Sequence, residues 1–121
     1  MPFPRPDEAS KEFFESVLPD DPRVQMRPMF GNVAGFLNGN MFIGLFGNDL
    51  LMRLSEGDRN QLLREEGTAI FEPVEGRPMK EYVSIPQSWR DEPDRVRGWV
   101  ARSVEWVGEM PEKKAKKKKK R

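Results

Sequence analysis

Apolar residues recur at Ala9, Phe13, Phe14, Val17 and Leu18, at spacings of three and four that place them on one helical face behind Pro6-Asp7. Pro19 ends this first helix. From Val24 to Met29 the apolar period changes to two, the mark of a strand, and Pro28 assigns that strand to an edge or an end. Phe30-Gly31-Asn32 supplies a turn. Val33–Leu37 and Met41–Phe46 then flank Asn38-Gly39, the strongest hairpin signal in the chain, because both turn residues accept positive φ. Gly47-Asn48-Asp49 turns the chain again into Leu50–Leu54.

Ser55, with Asp58 three residues on, resembles a capping box, and Leu62, Leu63 and Gly67 complete a short second helix. Thr68–Phe71 reads as a brief strand, and Glu72–Met79 as a loop because it contains Pro73, Gly76 and Pro78. Lys80–Ile85 alternates as a strand and stops at Pro86. The clearest helical pattern runs from about Pro93 through Val96, Trp99, Val100, Val104 and Val107. Strands joined by two-residue turns are antiparallel. The order α-β-β-β-β-α-β-α therefore describes an α+β fold: a two-layer α/β sandwich whose mainly antiparallel sheet has about five strands and three helices on one face.

With Asn38-Gly39 as the turn, Phe36 faces Met41 and Ala34 faces Ile43, and these share a sheet face with Leu45, Leu50, Met52 and Leu54. This all-apolar face is the one the helices are expected to cover. The other face carries Val33, Gly35, Leu37, Asn40, Phe42, Gly44, Phe46, Leu51 and Arg53, and three short helices cannot cover both. Phe42, Phe46 and Leu51 then form an apolar patch that either binds a partner, most simply a second copy, or is covered by the chain itself. Trp89, the Pro-rich arm and the Pro73–Met79 stretch are the segments available for such a cover.

Composition narrows the chemistry. The 121 residues hold no Cys and no His, which removes disulfides, Cys-ligated zinc and every Ser-His or Cys-His triad. No enzyme and no cofactor is expected. Met41–Phe46, the longest apolar stretch, is far short of the roughly 20 residues that span a bilayer, so the expected location is the cytoplasm. Charge is divided along the chain: Gly108–Arg121 holds eight basic and two acidic residues, net +6, against thirteen basic and eighteen acidic in Met1–Val107, net −5. Residues 1–6 read as an extended arm, 7–107 as the folded domain and 108–121 as a disordered Lys-rich tail. Within that tail Lys116, Lys117, Lys118, Lys119 and Lys120 are the expected site of any weak, non-specific nucleic-acid binding, through counterion release.

The densest cluster of functional groups is Gly76-Arg77-Pro78-Met79-Lys80-Glu81-Tyr82. With Arg53 it offers a candidate anion site of Arg53, Arg77, Lys80 and Tyr82. The alternative is a structured segment in which the Tyr82 hydroxyl binds a backbone group. No acidic motif has the spacing of a calcium loop, and no metal site is expected.

Met29-Phe30-Gly31, the Asn38-Gly39 turn, Gly76-Arg77-Pro78-Met79-Lys80-Glu81-Tyr82-Val83 and the Trp99-Val100 helix together resemble the N-terminal domain of the TfoX/Sxy family, over roughly Asp7 to Met110. The resemblance implies a two-layer α/β domain with a mainly antiparallel sheet and no catalytic residues. Full-length members are regulators that promote natural-competence genes together with the cyclic-AMP receptor protein. Asn32 stands where the family often has a second Gly, and the Lys tail stands where full-length members carry a second domain. The expected function is thus a single-domain, non-enzymatic regulatory or protein-interaction module, homodimeric, with a small-ligand protein and a weak nucleic-acid accessory as alternatives.

Overall fold

A computed structural model of the chain describes residues 5–29 and 32–111. The first helix, α1 (Glu8–Val17), starts where the Asp7 carboxylate accepts the Ser10 backbone N–H at 2.8 Å, and this bond, with others, holds the Asp7 pKa below its usual value. Four strands follow: β1 (Val24–Met29), β2 (Asn32–Leu37), β3 (Asn40–Phe46) and β4 (Asp49–Arg53). Asn38 and Gly39 adopt φ of 55° and 80°, the two left-handed conformations a tight hairpin turn requires. Helix α2 (Glu56–Leu62) is capped by Ser55, as its capping-box spacing predicts. Strands β5 (Ala69–Val74) and β6 (Arg77–Ile85), a 3-10 turn at Gln87–Asp91 and α3 (Pro93–Gly108) complete the domain.

The sheet has six antiparallel strands in the order β1-β2-β3-β4-β6-β5. This is the expected two-layer α+β architecture with one more strand. The sixth strand is the brief one read at Thr68–Phe71, and Glu72–Met79, expected as a loop, instead lengthens it and its neighbour into a hairpin about Gly76 (φ 82°). Its prolines are tolerated because Pro73 lies on the edge strand and Pro78 lies beyond the end of β4, so each has a neighbouring strand on one side only.

Sixteen buried residues fill the layer between sheet and helices. They include Phe14 and Val17 from α1, Leu62 from α2, Val96, Val100 and Val107 from α3, and Leu37, Ile43, Leu45, Met52, Val83 and Ile85 from the sheet. Polar groups fasten the ends of the layers. The Asn48 side-chain oxygen accepts from the Asp7 N–H at 2.9 Å and the Ser10 hydroxyl at 2.8 Å. Arg90 donates to the Asn48 carbonyl at 3.1 Å and to the Ser10 hydroxyl. Each of the chain's three tryptophans has an arginine against its ring: Arg95 at 3.7 Å from Trp89, Arg102 at 4.6 Å from Trp99 and Arg53 at 5.7 Å from Trp106. Arg95 and Arg102 continue to Glu65 and Asp58, which ties α3 to α2 and the chain just after it.

One irregularity changes which residues share a face. Phe36 pairs with Met41 as expected, but Gly35 pairs with Ile43 and Ala34 with Gly44, so Phe42 is an extra residue, a β-bulge. The bulge reverses the alternation between Met41 and Ile43, and Phe42 packs with Ile43 in the helix-side core at 0% exposure. Gly35 makes this possible. A Cβ there would lie 2.9 Å from Ile43 Cγ2 and 3.2 Å from the Phe42 ring. The two carbonyls at the bulge are each bound by a side chain: Tyr82 Oη donates to Met41 O at 3.0 Å, and the buried Ser103 Oγ of α3 donates to Phe42 O at 2.9 Å.

Candidate functional site

The face of the sheet away from the helices carries a second cluster: buried Ala34, Met41, Leu51 and Phe71, with Phe36, Phe46, Met79 and Tyr82 half-buried around them. Its residues come from β2, β3, β4 and the β5–β6 hairpin, each from the positions that alternate with the helix-side core. Phe46 and Leu51 stand on this face as their pattern predicts. Phe42 does not; the bulge turns it inward, where no partner can reach it. Ala34, Phe36 and Met41, expected under the helices, are here instead for the same reason.

The centre of this face is closed by the chain. Phe71 of β5 meets Phe46 of β3 edge to face, with ring centroids 5.1 Å apart. On a flat sheet these strands, three positions apart, would be about 14 Å from one another, so from Phe71 onward β5 curls back over the face and the two rings lean toward each other. Leu51 keeps 2% of its surface and Phe71 5%. Of the three segments available as a cover, the Pro73–Met79 region with Phe71 provides it, and Trp89 belongs to the helix-side core. The rim remains accessible. Arg27 lies over the Phe36 ring at 4.8 Å, and Arg53 lies 5.8 Å from the Tyr82 ring.

The four candidate anion residues do not form one site. Arg53 and Tyr82 are register partners on β4 and β6, but Glu81 holds Arg53 Nε at 2.7 Å and neutralises it. The Tyr82 hydroxyl is bound to the Met41 carbonyl, and burial raises its pKa above the usual phenol value. This is the backbone-bound tyrosine that the sequence offers as the alternative. Arg77 and Lys80 are exposed on the hairpin, with Arg77 at its tip opposite Val74. Sequence reasoning missed Phe71 and Met79, because a strand pattern interrupted by two prolines hides the residues that fold back onto the sheet. It also missed Ser103, a single polar position on the buried side of α3.

Lys116–Lys120 and residues 1–4, together with Phe30 and Gly31 of the Met-Phe-Gly motif, lie outside the described residues. Among the described residues no three acidic side chains gather as a metal site, and no helix is long and apolar enough to cross a membrane.

A search among curated proteins returned no match to the chain. The TfoX N-terminal domain family matches residues 12–106, from within α1 to near the end of α3, and so takes in every strand of the sheet. With that match over most of its 121 residues, and the whole six-stranded sheet inside it, the chain belongs to the TfoX N-terminal domain family.

Proposed function

We propose that this TfoX-like regulatory module is not an enzyme and acts by docking a protein on the face of its sheet that the helices leave open, the first such protein being a second copy of the chain. The observation that carries the reading is the half-buried rim of Phe36, Phe46, Met79 and Tyr82 on a sheet face that none of the helices among the described residues covers. Aromatic and arginine side chains at the margin of a dry apolar centre are the composition of interface hot spots. The committed Tyr82 hydroxyl and the neutralised Arg53 speak against catalysis or anion capture at the same place.

A second copy is better accommodated on the face than on the β1 edge of the sheet. Pro28, paired with Val33, has no N–H to give the β2 ladder, so it and the residues that alternate with it, Val24 and Met26, direct their backbone groups outward on β1. Pro28 has no N–H, and the Val24 N–H is bound to Asp21 O at 3.0 Å. One outward donor, that of Met26, is left for a neighbouring strand, which is the pattern of a guarded edge.

Sedimentation velocity at tens of micromolar, a concentration on the order of those at which standard-sized interfaces are occupied, tests the proposal. Wild type is expected to sediment as a dimer, and Phe46→Asp and Phe36→Asp as monomers with unchanged far-UV circular dichroism. A monomeric wild type refutes self-association. A dimer that survives both substitutions moves it to another surface.

A further inference from the structure

The β5–β6 hairpin is built in two parts. Its first part belongs to the sheet: Ala69 pairs with Ser84 and Ile70 with Val83, and β6 is flanked on its other side by β4 as far as the pair Arg53–Tyr82. Its second part does not. After Ile70 the register jumps, so that Phe71 pairs with Met79 and leaves Lys80, Glu81 and Tyr82 without partners on β5, and it shifts again before Val74 meets Arg77. Since β4 ends at Arg53, residues 71–79 form a two-stranded ribbon with no third strand beside it. Such a ribbon has little stability of its own.

Only side chains fasten it. Glu72, Val74, Glu75, Gly76, Arg77 and Pro78 are exposed, and Phe71 is the ribbon's one buried residue. Phe71 sits on a floor made low by small residues: Ala34 and Gly44 are register partners on β2 and β3, with Leu51 opposite Gly44 on β4. The cavity among these side chains is about 10 Å³, at most one water. Lifting the ribbon therefore exposes an apolar slot one aromatic ring wide while breaking none of the main ladder from β1 to β4.

We propose that residues 71–79 are a flap, hinged at the register break between Ile70 and Phe71 on β5 and at Met79–Lys80 on β6, that opens as a unit on the otherwise folded domain and uncovers the apolar slot. Phe71 is the slot's resident occupant. The flap is a property of the single chain, so it stands or falls separately from the docking of a partner.

The chain's lack of cysteine makes the test direct. A single cysteine is placed in the slot by Ala34→Cys or, independently, Leu51→Cys, and in the helix-side core by Val100→Cys as the reference. Labelling by a soluble thiol reagent is followed in native buffer and at low urea. Slot cysteines are expected to react at least about 100-fold faster than Val100→Cys, at a rate almost independent of low urea, since the opening exposes little surface. Adding Phe71→Ala to Ala34→Cys is expected to speed labelling a further 10- to 100-fold, roughly the weight of one buried aromatic side chain. Equal rates and equal urea dependence for slot and core cysteines in both slot variants would mean that the cluster opens only when the whole domain unfolds, and would overturn the proposal. So would a labelling rate that Phe71→Ala leaves unchanged.

Discussion

Ser103→Ala removes one hydroxyl from the buried side of α3 and leaves the Phe42 carbonyl at the bulge without its donor. The Ser103 side chain is 0% exposed and its Oγ lies 2.9 Å from that carbonyl, in a bond buried from solvent. Water has no room to replace it. Leaving a buried acceptor unsatisfied costs about 1–3 kcal/mol, whereas a solvated bond is worth about 0.5–1.5 kcal/mol or less. The expected loss for Ser103→Ala is thus about 2 kcal/mol, close to a quarter of the stability of an ordinary domain of this size. Ser16 supplies the control, because its hydroxyl binds the Phe13 carbonyl at 2.7 Å on an exposed helix face. Ser16→Ala should change stability by less than about 0.5 kcal/mol. Urea unfolding followed by circular dichroism reads both, and a lower midpoint at unchanged slope is the expected signature. If Ser103→Ala falls within about 0.5 kcal/mol of wild type, the carbonyl does not depend on α3, and the account of the bulge as fastened from both layers is wrong.

Tyr82→Phe removes the second bulge donor from a half-buried position and should cost about 1 kcal/mol by the same assay. Its effect should be less than additive with Ser103→Ala, since the two carbonyls are on adjacent residues. Gly35→Ala should destabilise by about 1–3 kcal/mol through overpacking on Ile43 and Phe42, whereas Gly44→Ala, whose Cβ would find Leu51 at an ordinary 3.4 Å, should be close to neutral in thermal melts. The Arg23 hydrogen bonds lower Asp21 to a pKa of about 2, and the Ser10 bonds lower Asp7 below its usual 3.8. A carboxylate depressed on folding stabilises above its unfolded pKa and loses that contribution as the pH falls through the folded value. The melting temperature should therefore drop between about pH 4 and pH 2, and less steeply in Asp7→Asn, which keeps a capping side chain but does not titrate. A drop of equal size in that variant would exclude Asp7 as a source.

Elements whose cause lies within a few residues were legible in the chain. Asn38-Gly39 forces a hairpin because few other residue pairs accept two consecutive positive φ values, and Ser55 and Asp7 mark helix starts by binding N–H groups three residues away. The spacing of Val96, Val100 and Val107 shows which side of α3 is buried without reference to what covers it. The residues of the open face were not legible in the same way. Alternation specifies a face only while the register is unbroken, and the bulge at Phe42 depends on Gly35 across the hairpin and on donors from β6 and α3, up to 61 residues distant. Hence Phe46 and Leu51, clear of the bulge, were placed by pattern, while Val33, Ala34, Phe36, Leu37, Met41 and Phe42 changed sides. The prolines of the 72–79 segment likewise break a strand only where a neighbour needs their N–H, and only the tertiary strand order shows that none does. Local sterics and hydrogen bonding settled the elements; long-range pairing, which no window of sequence contains, decided which side chains face the helices and which face away from them.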